Sequence, residues 1–164
     1  FLEAYCKENN KSLIVAGACK EWSFSYEYRF LMENLTIDRL TFAPNDDNNF
    51  SSYRAMEGSI VTVTTNSTLG YECMAAGSKV LFCNFSNDKY YDMPDGKSHG
   101  PWALSNPDVT YSEFSKRLDL LYGMTDCQWL DLTRCIGQEF VQIADDSMPQ
   151  DILANEIKSG LENY

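Results

Sequence analysis

The sequence predicts a three-layer α/β domain with a mostly parallel sheet and extra C-terminal helices. Three observations predict it. Short continuous apolar runs such as SLIVA and KVLFC have the look of strands buried on both faces. Segments with helical spacing of aromatic and long side chains lie between those runs. The stretch Ser59 to Cys83 places strand, turn, helix and strand in immediate succession, with a glycine stop between helix and second strand.

Taken in order, Phe1–Asn9 reads as the end of a helix, and a chain that opens inside an element suggests a piece of something larger. Ser12–Ala16 is the first strand, Gly17–Ser23 a loop, Phe24–Asn34 a helix and Arg39–Ala43 the second strand. Pro44–Asn49 forms a polar turn, and Asn49 is placed to cap a short helix through Glu57, closed by Gly58. Ser59–Val63 is the third strand, Thr64–Ser67 a turn, Thr68–Ala76 a helix stopped at Gly77, and Lys79–Cys83 the fourth strand. Asn84–Pro107, with Pro94, Gly96, Gly100, Pro101 and Pro107, is a polar loop longer than compact domains usually carry, which suits a binding loop or lid. Capping boxes at Thr110 with Glu113 and Thr125 with Gln128 open helices over Tyr111–Tyr122 and Asp126–Ala144. A last helix is expected from Ser147 and Pro149 to about Ser159. Nothing calls for a second core, so residues 1–164 are read as one Rossmann-like domain.

Composition narrows the function. Lysine and arginine total 13 against 24 aspartates and glutamates, a formal charge of −11 that opposes binding to nucleic acid or anionic lipid. No apolar run reaches the ~20 residues of a membrane span, and Phe1–Asn10 lacks a signal-peptide pattern. The six cysteines include no C-x-x-C pair, and several sit in apolar stretches. A reduced, cytoplasmic setting is therefore expected, with the sequons at Asn34, Asn66 and Asn84 taken as chance patterns.

The chemistry concentrates in TVTTNSTLGYECMAAGSKVLFC, where a strand runs through Thr64, Thr65, Asn66, Ser67 and Thr68 directly into a helix. The first turn of a helix carries unsatisfied N–H donors and a partial positive charge, so it binds phosphate even in an acidic protein. Ser67 and Thr68 can add hydroxyl donors, and Gly70 lets a ligand or a neighbouring strand come close. Glu72 follows Thr68 by one helical turn and can accept hydrogen bonds from a ribose diol. A plainer reading fits the same residues: Ser67 only caps the helix and Glu72 is a surface residue.

With those residues quoted, NSTLGYECMAAGSKVLFC resembles the signature of the C-terminal domain of GT-B glycosyltransferases, in which a small-residue turn, a glutamate on the following helix and a glycine five residues later precede the next strand. Glu72 and Gly77 keep that spacing. The peptidoglycan lipid II synthase is similar here, and bacterial surface-carbohydrate biosynthesis transferases are more so, with a Y-x-E-F helix matched by Tyr111, Glu113 and Phe114. The resemblance covers Ser59–Phe85 and extends to about Tyr122. It implies half of a GT-B fold, with phosphate contacts at Ser67 and Thr68 and ribose contacts at Glu72; the position of Thr65 and Asn66 in the same turn adds them to the expected nucleotide-binding residues. It also implies a nucleotide sugar as donor substrate, no bound metal and no other cofactor, a glycan acceptor, and a catalytic base from an N-terminal domain that this chain does not contain. The chain departs from the pattern after its first strand, where a cationic residue is expected for the diphosphate and AGACKE offers Lys20, which also fits a solvated loop lysine.

His99, the single histidine, could reach donor phosphate or sugar from the long loop, or be an exposed bystander. Tyr90, Tyr91 and Trp102 could stack on a base or sugar ring, or anchor the loop, whereas Trp22 and Trp129 read as packing residues. Asp92, Asp95 and His99 lack a nucleophile and form no triad. The function read from all this is donor binding in a glycosyltransferase for a surface polysaccharide or related glycan. The alternatives are a non-catalytic docking or anion-binding module of the same fold, and a nucleotide-sugar epimerase or polyol-phosphate transferase on the GT-B scaffold.

Overall fold

The computed structural model describes residues 1–17, 26–43, 45, 51–93 and 99–141. Among these are helices α1 (Leu2–Glu8), α2 (Tyr26–Asn34), α3 (Ser51–Glu57), α4 (Thr68–Ala75), α5 (Tyr111–Gly123) and α6 (Asp126–Phe140). The strands are β1 (Leu13–Ala16), β2 (Leu40–Ala43), β3 (Thr62–Thr64), β4 (Val80–Asn84) and β5 (Ala103–Ser105).

The run KVLFCN explains the centre of the fold. All five residues of β4 are buried, so helices cover both faces and the run has no polar alternation. Parallel ladders join β4 to β3, with Val63 opposite Leu81, and to β5, with Cys83 opposite Leu104. β1 and β2 form a second parallel sheet, with Ile14 opposite Thr41. The result is a Rossmann-like three-layer α/β arrangement in two open sheets, β1-β2 and β3-β4-β5.

Each sheet has its own apolar cluster. The larger gathers Met74, Val80, Leu81, Phe82, Phe114, Leu118, Leu121 and Trp129. The smaller holds only Cys6, Leu13 and Ile37 as buried members. Gly77 ends α4 at φ +88°. Its N–H bonds the Met74 carbonyl at 3.0 Å and the Ser78 N–H bonds the Cys73 carbonyl at 2.8 Å, so two of the last carbonyls of the helix are satisfied. A Cβ on Gly137 would lie 2.8 Å from the Ala75 Cα, so this glycine lets α6 lie directly against the backbone of α4. Both capping boxes form, at Thr110 with Glu113 and at Thr125 with Gln128.

Several sequence expectations shift. The third strand begins at Thr62 instead of Ser59, because Ser59 still belongs to the exit of α3, its N–H bonding the Met56 carbonyl and its hydroxyl the Ala55 carbonyl. The long loop contains β5, a three-residue strand held where Arg117 of α5 donates to the carbonyls of Gly100 and Ala103 at 2.6 and 2.7 Å. Trp102 is buried beside it and anchors this segment to the core. α6 ends at Phe140, short of the expected Ala144, because Val141 turns extended at φ −132° and ψ 113°. Asn49, Pro44, Lys20, Trp22, Asp95 and the expected helix from Ser147 lie outside the described residues. No helix among the described residues is long and apolar enough to cross a membrane.

Cys6, Cys73 and Cys83 are buried and unpaired, and burial pushes the Cys83 thiol up to about 12. Asn84, the asparagine of the third sequon, is also buried. Its amide donates to the Asp88 carbonyl and to the Asp92 carboxylate.

Candidate functional site

β1 and β3 face each other across a cleft of about 1000 Å³, and among the described residues no ladder joins them. Joined, the strands would run in the order β2-β1-β3-β4-β5, with chain growth reversing between β1 and β3. In open parallel sheets ligands bind at the carboxyl ends of the strands at such a reversal. The walls include Val15, Ala16 and Gly17 from β1 and its end, Val63 and Thr64 from β3, Ser52 and Met56 from α3, and Ser67, Leu69 and Gly70 at the start of α4.

The start of α4 differs from a plain capped helix. Ser67 takes an extended conformation, φ −88° and ψ 134°, and its side chain makes no cap hydrogen bond. Only its carbonyl serves the first turn, accepting from the Gly70 N–H at 2.9 Å. With no cap bond from the Ser67 side chain, the remaining first-turn donors have no side-chain cap, and Ser67, Leu69 and Gly70 of this helix start line the cleft, whereas Thr65, Asn66, Thr68 and Glu72 are not among its lining residues. Gly70 fixes how this turn sits. A Cβ there would lie 2.7 Å from the Thr64 Cγ2 and 3.0 Å from the Phe82 ring, so the glycine admits a neighbouring strand.

Thr65, Asn66, Ser67 and Thr68 are brought together, all exposed, at the carboxyl end of β3. Asn66 ties this turn to its surroundings: its amide nitrogen donates to the Tyr90 carbonyl and its oxygen accepts from the Tyr71 hydroxyl, both at 3.4 Å. Tyr71 in turn stacks on Phe82 with centroids 4.6 Å apart, and burial raises its pKa. Tyr90 belongs to a 3-10 turn, Lys89–Tyr91, capped by Asp88 and packed edge-on against Tyr91 at 5.3 Å. The Tyr90 ring is 76% exposed beside the turn that Asn66 anchors.

Glu72 is half-buried on the flank of α4 that meets α3, where the Tyr53 hydroxyl donates to its Oε2. That bond raises the pKa of Tyr53. His99 is exposed in the turn before β5 and is not among the residues lining the cleft. Lys20 lies outside the described residues. Among the described residues no group of three or more His, Cys, Asp or Glu side chains is placed to hold a metal ion. Sequence reasoning did not pick out Tyr53 or Ser52. The one clue to them was their place on a short helix between two strands of a predicted parallel sheet, and their neighbours on α4 become visible only in three dimensions.

The model of a family described as "putative O-antigen biosynthesis protein" matches residues 1–147. No curated protein and no solved structure matches the chain. The match spans most of the sequence, and its family name points to surface-carbohydrate biosynthesis. The chain is a member of this O-antigen biosynthesis family.

Proposed function

We propose that this chain is the donor-binding domain of a GT-B type glycosyltransferase that moves a sugar from a nucleotide sugar to a surface glycan. The observation that carries the reading is the first turn of α4, which has no side-chain cap and contributes Ser67, Leu69 and Gly70 to the wall of a cleft between β1 and β3, strands that do not pair among the described residues. The O-antigen family supports the acceptor class. In this reading the nucleotide phosphates lie at Thr65–Thr68 and the ribose at Glu72. The helix dipole offsets negative charge on the departing nucleotide phosphate. The Tyr90 face, next to Asn66, stacks on the sugar ring. A general base for the acceptor hydroxyl comes from a partner N-terminal domain, so the segment by itself binds without turnover. Lys20 and His99 are further candidate phosphate or sugar contacts.

Isothermal titration with UDP, GDP, CMP, CDP and inorganic phosphate tests this. One nucleotide should bind selectively, Ser67→Ala and Glu72→Ala should each weaken it about tenfold, and Tyr90→Ala should weaken the matching sugar nucleotide more than the bare nucleotide. A folded sample that binds none of them, or binds all bases and phosphate alike, overturns the reading in favour of a docking or anion-binding module.

A further inference from the structure

Two side-chain contacts join α3 to α4, and of their four residues Met56 lines the cleft. Met56 and Cys73 meet inside the seam, Sγ to Sδ 2.9 Å apart. At its outer end the Tyr53 hydroxyl donates to Oε2 of Glu72. Tyr53 is 43% exposed, so the bond gains little from burial of the tyrosine ring, and nothing in the core requires it. Its immediate effect is on the carboxylate. A glutamate on a helix surface is free about three side-chain bonds and loses that freedom when it grips a ligand. One with an oxygen already fixed has lost much of it beforehand.

We propose that Tyr53 is a positioning residue for ribose recognition: it holds one carboxylate oxygen of Glu72 so that the other meets the cis-diol of a ribonucleotide. This inference rests on the donor-site reading. A carboxylate offers about four acceptor positions, so one tyrosine hydroxyl leaves room for both ribose hydroxyls. Because Ser52 and Met56 of the same helix line the cleft, α3 contributes both a wall of the site and the group that aims its carboxylate. The donor stays in place through neutral and mildly alkaline pH, since the hydrogen bond to Glu72 raises the pKa of the phenol.

The test compares UDP with 2′-deoxy-UDP, GDP with 2′-deoxy-GDP, and inorganic pyrophosphate, by titration of the wild type, Tyr53→Phe, Glu72→Gln and the double variant, with the melting temperature of each as a folding control. The wild type should prefer the ribonucleotide of its base about tenfold. Tyr53→Phe should cut that preference to about threefold with pyrophosphate affinity unchanged, and the double variant should fall no further than Glu72→Gln. A Tyr53→Phe protein that keeps the full preference while Glu72→Gln loses it overturns the role of Tyr53 and leaves the donor site standing. A preference that survives both substitutions removes the ribose role of Glu72 and the proposal with it. A folded wild type that binds no nucleotide overturns the donor site itself.

Discussion

Among the helices whose N-cap residue is described, three begin after a serine or threonine, and one of them begins differently. At α5 and α6 the threonine hydroxyl accepts from the backbone of the third helical residue, and the Glu113 or Gln128 side chain reaches back to the N–H of Thr110 at 2.7 Å or of Thr125 at 2.9 Å. At α4 Ser67 has the same extended backbone and makes no such bond. Gly70 stands where the other two helices carry a reciprocating side chain, so the box cannot close. The contrast separates two helix starts whose side chains satisfy backbone donors from one with no side-chain cap.

The largest effect is expected from the residue that seats the open start. Gly70→Ala drives a methyl into Thr64 and the buried Phe82 ring, and should cost about 1–3 kcal/mol in urea unfolding and remove nucleotide binding. If Gly70→Ala were neutral in both, the first turn of α4 would not depend on its close approach to β3 and β4. Next come the caps. Thr110→Ala and Thr125→Ala should each lose about 1 kcal/mol, while Ser67→Ala should stay within about 0.5 kcal/mol of wild type and change binding only. A Ser67→Ala protein as destabilised as the other two would make α4 an ordinary capped helix.

The smallest effect is one of pH. Hydrogen bonds from the Thr110 backbone and hydroxyl hold the Glu113 carboxyl below the usual glutamate range. A depressed folded pKa stabilises the native state fully above the unfolded glutamate pKa, and that contribution disappears as pH falls through the folded value. Gln128 plays the same part at α6 without titrating. Amide protection, taken relative to the intrinsic exchange rate at each pH, should therefore fall in acid at the Thr110 N–H, which donates to the Glu113 carboxylate, and not at the Thr125 N–H, which donates to Gln128. Equal acid response at both would mean that the carboxylate adds nothing to the box.

What could be read from the chain alone follows from how local each cause is. β4 announces itself because five consecutive buried residues leave an unbroken apolar run, and both boxes are four-residue patterns. Gly77 was legible as a stop because a positive φ favours glycine. β5 was not, because ALS is too short to show a period and is held by Arg117 from a later helix. The start of β3 was misplaced because SIV has strand composition while Ser59 is committed to the exit of α3. For the site, the turn Thr65–Thr68 came from the strand-to-helix junction, but the split between the sheets and the Tyr53–Glu72 bond depend on where separate elements come to rest.

The split sheet has one more consequence. A strand edge is a template on which another chain can add itself, and proteins go to some length to blunt such edges. Here β1 and β3 border one cleft, and Ser52, Ala55 and Met56 of α3 stand along its wall. The division that opens room for a ligand creates two adhesive borders, and placing them face to face keeps them from seeding aggregation.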